Sequence, residues 1–146
     1  MTTTSTASSG PAPGTPLKIG LWAAQLIVFI LFTLFGSMKL FMPIDRLAEM
    51  WVWPGQVASW FLHFTGVLDV AGGIGVLVPA VTRIRPGLTV LAALGCVLLQ
   101  IVAIIFHLSR GEAAAVPLNL VLLALSVFIF WGRSKKAPIA PRQTTY

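Results

Sequence analysis

Charge is the scarcest commodity in this sequence. Only 10% of its 146 residues are Asp, Glu, Lys or Arg, against about 25% in an ordinary soluble domain. Hydrophobic residues make up 57%. A chain of this composition has too few polar groups to cover a water-facing surface, which excludes a soluble globular domain and makes the bilayer the solvent. Cysteine is equally scarce. A lone Cys96 excludes an internal disulfide, and its place inside an apolar run reads as a small buried hydrophobe. No Cys/His group has metal-ligand spacing, no Ser stands in a nucleophile elbow, and the GGIG of residues 72–75 lacks the spacing and the preceding strand of a dinucleotide fingerprint.

The formal charge of +6 does not imply nucleic acid, because the basic residues sit at the ends of apolar runs and form no patch on a globular fold. Four runs are long enough to cross ~30 Å of hydrocarbon, which takes about 20 helical residues. They cover residues 19–42, 56–79, 88–108 and 116–131. The expected fold is therefore all-α, a four-transmembrane-helix bundle over residues 17–132. It is preceded by a Thr/Ser/Pro/Gly-rich tail over 1–16, which reads as disordered, and followed by a basic tail over 133–146. Pro86 and Pro117 fall at helix starts; Gly111 and Gly132 fall just past helix ends, where a C-cap belongs.

With four spans, both termini and the second loop share one side. That side carries Lys18, Arg83, Arg85, Arg133, Lys135, Lys136 and Arg142, and no acid. The other carries Lys39, Arg46 and Arg110 beside Asp45, Glu49 and Glu112. The positive-inside rule then predicts cytoplasmic termini and a plasma (inner) membrane location. Trp22 and Trp131 mark the inner interface; Trp51, Trp53 and Trp60 mark the outer one. The stretch PIDRLAEMWVWPG between the first two spans reads as an amphipathic connector on the membrane surface, with a lid over an outer pocket as the alternative. The basic AVTRIRPG loop reads as an anchor to anionic lipid.

Helical periodicity sets which polar groups can meet. Asp69 lies mid-span on a face shared with Thr65, Gly66, Gly72, Gly73 and Val76. Small residues allow close helix approach in lipid, so Asp69 is expected to face the bundle. An intramembrane acid is a functional-site hypothesis by default. Gln100 and His107 share a face of the third span with Ala93, Cys96 and Ala103; Lys39 shares one of the first span with Gln25, Phe32 and Gly36. Asn119 lies near the outer end of the fourth. The polar groups Lys39, His63, Asp69, Gln100, His107 and Asn119 thus gather in the outer half, while the inner half has almost none. An outer vestibule explains this, and so does a set of interhelical hydrogen bonds. Asp69 and Lys39 are the expected catalytic pair; His63, Gln100, His107 and Asn119 are the expected ligand-binding groups. A haem clamped between His63 and His107 is disfavoured, since the two lie at different depths.

Three stretches carry a resemblance: Gly36-Ser37-Met38-Lys39-Leu40, the run Gly66-Val67-Leu68-Asp69-Val70-Ala71-Gly72-Gly73-Ile74-Gly75-Val76-Leu77-Val78-Pro79, and His107 closing the third span. Over residues 19–131 the chain resembles the DoxX-like family of small four-helix membrane proteins. Relatives in that family include a subunit of a membrane thiosulfate:quinone oxidoreductase. The resemblance implies an accessory subunit of a quinone-linked redox complex, with quinone as the ligand. In that reading Asp69 and Lys39 handle protons or polarise a carbonyl, between walls formed by Phe32, Phe35, Phe64 and Phe106. The alternatives are a non-catalytic scaffold that docks a membrane partner or a second copy through its small-residue stripes, and an oligomeric small-solute transporter.

Overall fold

The computed structural model describes residues 14–144. The expected tail falls mostly on residues 1–13, outside this range, but Thr15 and Pro16 already belong to the first helix. Five α-helices and no strand occur among the described residues: α1 (Thr15–Phe41), α2 (Ile44–Met50), α3 (Ser59–Thr82), α4 (Gly87–Ser109) and α5 (Val116–Trp131). Four segments are long and apolar enough to span a bilayer: Thr15–Phe41, Ser59–Thr82, Gly87–Ser109 and Ala113–Lys136. At ~1.5 Å per residue, α5 alone, with 16 residues, falls short. It reaches full span only with the 3₁₀ turn Ala113–Ala115 before it and the π turn Gly132–Lys136 after it.

The spans pack in a ring, α1 to α3, α3 to α4, α4 to α5, and α5 back to α1. One end of the ring, here the terminal end, holds the start of α1, the α3–α4 turn and the C-terminal segment. The other, the loop end, holds α2 and the α4–α5 turn. Val28, Phe32, Val76, Ala93, Cys96, Leu122 and Ile129 form the core between the spans. Large apolar side chains such as Ile19, Ile30, Leu34, Leu98, Val102 and Ile105 stay exposed. A soluble bundle would not leave so many outward; lipid accepts them.

The tightest crossing is between α1 and α3, and glycine makes it so. A Cβ on Gly36 would sit 2.7 Å from the Gly66 carbonyl oxygen, and one on Gly66 would sit 2.9 Å from the Lys39 Cβ. Neither obstacle can swing aside, so any larger residue would drive the helices apart.

Several local expectations shift. Pro79 does not end its helix; α3 continues to Thr82 and caps on Arg83 in the left-handed region. Prolines are tolerated within membrane helices because neighbours can satisfy the freed backbone groups. Gly111 adopts the positive φ of a C-cap, 71°, but Gly132 does not: its φ of −65° is helical. A side chain at Gly132 would instead collide with Leu21, so its bareness serves packing.

Candidate functional site

Gly36 and Lys39 are three residues apart on α1, and Gly66 and Asp69 three apart on α3. The glycines bring the two backbones together, and the next turn of each helix then presents its charge to the other. Lys39 Nζ donates to Asp69 Oδ2 at 2.6 Å. Asp69 is 6% exposed and faces the bundle, not lipid. Pairing is what makes two charges tolerable at this depth, since an isolated one would cost several kcal/mol.

The pair stands on the wall of a cavity of about 560 Å³ in the loop-end half of the ring. All four spans line it, with Lys39, Asp69, Gln100, His107 and Asn119 among the lining residues. Asn119 donates to the Ala115 carbonyl at 3.0 Å. Gln100 is 5% exposed and its Oε1 has no hydrogen-bond partner. His63 is the one expected site residue left out: it is exposed and does not line the cavity. It lies about 120° around α3 from Asp69, at 100° per residue. The same arithmetic corrects the aromatic wall. Phe64 is 54% exposed, while Phe61, eight residues before Asp69 on the same face, lines the cavity with Phe32, Phe35 and Phe106.

The connector between α1 and α3 folds over this cavity. Leu47 of α2 is fully buried, and Met50, Trp51, Val52 and Trp53 all contribute to the lining. Trp51 and Trp53 therefore turn inward instead of resting at the outer interface. The Trp51 ring meets Phe35 edge-on at 5.6 Å, and Trp53 meets Phe106 at the same separation. The Lys39 ammonium lies 5.4 Å from the Trp53 ring centre, a favourable cation–π placement. Trp60 is exposed.

Glu112 was legible only as a loop acid, yet it clasps the mouth. The positive φ of Gly111 reverses the chain after α4, so that the Glu112 N–H bonds the His107 carbonyl at 2.9 Å. The carboxylate then meets His107 Nδ1 at 2.7 Å and accepts from Arg110 Nε at 3.0 Å. Arg110 also donates to Gln56 Oε1 in the α1–α3 connector, which ties the lid to the α4–α5 turn. Burial works to raise the Glu112 carboxyl, but the His107 and Arg110 hydrogen bonds and the nearby charges outweigh it and hold it below the ordinary value. The sequence signal was present: a glycine immediately before an acid and four residues after a helix-terminal His.

The terminal-end half also departs from expectation, for it is not free of polar groups. Arg133 is 5% exposed. Its Nε donates to Gln25 Oε1 at 2.7 Å, and Gln25 Nε2 donates to the Val76 carbonyl at 2.8 Å. Its guanidinium lies 4.7 Å from the Trp22 ring centre. This is a packed clasp among α1, α3 and the end of α5.

Against this geometry, the family comparison is decisive: a model of the DoxX-like family matches residues 23–129, from the third turn of α1 to the last turn of α5. The chain belongs to the DoxX-like family. No curated protein and no solved structure matches it. The match contains Lys39, Asp69, Gln100, His107, Glu112 and Asn119 of this DoxX-like chain and stops short of Arg133.

Proposed function

We propose that this DoxX-like membrane protein binds the headgroup of a lipid-soluble quinone in its loop-end cavity, as an accessory subunit of a quinone-linked membrane redox complex. The observation that carries this reading is the Lys39–Asp69 pair set in the wall of an aromatic cavity that all four spans share. Its volume lies within the ~300–1,000 Å³ typical of small-molecule sites. Such sites are mostly apolar with a few fixed polar groups, and this one matches that description. An ammonium has three N–H donors, so Lys39 keeps two beyond its bond to Asp69, suited to a carbonyl oxygen. The uncommitted Gln100 amide offers a second polar contact. Asp69 holds the ammonium in place and gives a proton a second resting point beside it. The bound quinone itself would supply the reversible uptake of electrons and protons. Phe32, Phe35, Phe61 and Phe106 would flank its ring and exclude water.

The scaffold reading draws less support. The glycines that would dock a partner are used inside the bundle, where a Cβ on Gly72 would sit 2.9 Å from Cys96 Sγ and one on Gly73 would sit 3.1 Å from the Phe29 carbonyl oxygen. We further read the terminal end as cytoplasmic, which places the cavity toward the outer face of the plasma (inner) membrane; the excess of basic residues at that end supports it. The test is quinone retention. Protein purified in mild detergent should carry quinone into an organic extract, and Asp69→Asn should reduce that at least about tenfold, the effect of losing a charged hydrogen bond of ~1.5–3 kcal/mol. Equal quinone in both extracts would remove the site.

A further inference from the structure

A second site lies at the terminal end, away from the cavity. After Ala137 the C-terminal segment runs back across the bundle to the α3–α4 turn. Arg83 Nε donates to the Ala140 carbonyl at 2.9 Å, and the Arg142 N–H donates to the Arg83 carbonyl at 2.9 Å. This strap delivers Arg142 to Arg83 and Arg85, and the three border one hollow together with Ile84, Pro141 and Thr144.

Three features of this hollow call for an anion. Like charges converge there although each raises the energy of the others. Arg83 and Arg85 both hold left-handed backbone, with φ of 59° and 47°, a conformation that costs free energy in any residue with a side chain. And no acidic side chain exists at this end to offset them: the chain's four acids are Asp45, Glu49, Asp69 and Glu112, none of which lies near the strap. The excess extends to Arg133 under the strap's other end, whose buried Nη2 has no partner. Among the described residues no acidic side chain stands beside these arginines to neutralise them.

Guanidinium forks match the oxygens of phosphate better than a single point charge does. Ile84, between the two left-handed arginines, is 61% exposed. An exposed apolar side chain within a cationic hollow, at the end of membrane-crossing helices, suits an amphiphile better than a free ion. We propose that this hollow binds the phosphate of an anionic phospholipid headgroup, with Arg83, Arg85 and Arg142 around the phosphate and Ile84 against the start of the acyl chains. Basic pockets between membrane helices recognise headgroups in this way. The bound lipid pins the strap and neutralises the arginines that close it.

Native mass spectrometry of the full chain, released from micelles containing phosphatidylglycerol or phosphatidylcholine, reads this directly. The wild-type chain should retain phosphatidylglycerol in preference to phosphatidylcholine. Arg83→Gln/Arg85→Gln/Arg142→Gln should lose that preference by about a hundredfold, and Arg142→Gln alone should lose part of it with the α3–α4 turn untouched. Lys135→Gln/Lys136→Gln, which removes charge at the same end but outside the hollow, should keep it. Equal losses in the arginine and lysine variants would reduce the effect to general surface charge and overturn the site. Displacement of phosphatidylglycerol by millimolar inorganic phosphate would overturn its assignment to lipid; persistence of the lipid would support it. Thermal unfolding in phosphatidylcholine alone checks that the arginine variants are folded.

Discussion

The two halves of this bundle each draw a cation inward, Lys39 half-buried and Arg133 buried, and they treat it in opposite ways. At the loop end Lys39 meets a true counter-ion, Asp69, and the pair borders an open cavity. At the terminal end Arg133 meets only neutral partners, the Gln25 amide, a backbone carbonyl and the Trp22 ring, in a packed interior. A half-buried charge with a buried counter-charge beside a cavity is arranged for something that arrives. A buried guanidinium held by two neutral acceptors is arranged to hold helices together. The contrast shows that burial of a polar group does not by itself mark a site; the space in front of it does.

Three substitutions would break or sharpen this contrast. The largest effect is expected from Lys39→Met, which strands the Asp69 carboxylate in the bundle. Removing one partner of a buried pair costs about 3–5 kcal/mol, visible as a lower midpoint of thermal unfolding in detergent. Lys39→Met/Asp69→Leu should recover most of that stability while quinone retention stays lost. A double variant that still retains quinone would mean that the pair serves the fold alone.

Next comes Arg133→Met in the terminal-end half. It leaves Gln25 Oε1 without its donor, a penalty of about 1–3 kcal/mol, and should not alter quinone retention. Loss of retention with stability intact would erase the distinction between the halves.

The smallest effect is expected at the lid. Glu112 is partly exposed and its pairs are screened, so Glu112→Gln should cost under about 1 kcal/mol. The pH dependence has a definite sign. The folded-state carboxyl is held below its ordinary value of 4.5, so its contribution is fully present above that value and fades as pH falls through the lower folded value. Amide protection in residues 44–56, taken relative to the intrinsic exchange rate at each pH, should therefore fall on acidification below pH 4.5 in the wild type. Glu112→Gln should exchange faster at neutral pH and lose that acid dependence. Identical acid profiles in the two chains would show that the His107–Glu112–Arg110 clasp does not hold the lid.

Much of the cavity's membership was legible because helical period assigns faces without knowledge of the fold. Asp69, Lys39, Gln100, His107 and Asn119 each lie on an inward face and all reach the cavity. The same period, applied strictly, placed His63 off the Asp69 face and would have chosen Phe61 over Phe64. Illegible were the contacts that depend on how chain reversals fold back. The inward turn of Trp51 and Trp53 depends on where α2 seats Leu47. The burial of Arg133 depends on a π turn that carries α5 past its apolar run, so that a residue typical of a solvated tail ends beneath Trp22.

The sequence alone determined the number of spans, their antiparallel order and the small-residue face through which Asp69 turns inward. Apolar length, charge placement and glycine spacing act locally, and one solvent selects for all three. Only the tertiary structure decided that Lys39 and Asp69 border a cavity while Arg133 packs against Gln25 and Trp22. That outcome rests on how side-chain volumes from four helices and two turns sum at each level of the bundle, a quantity no single segment carries.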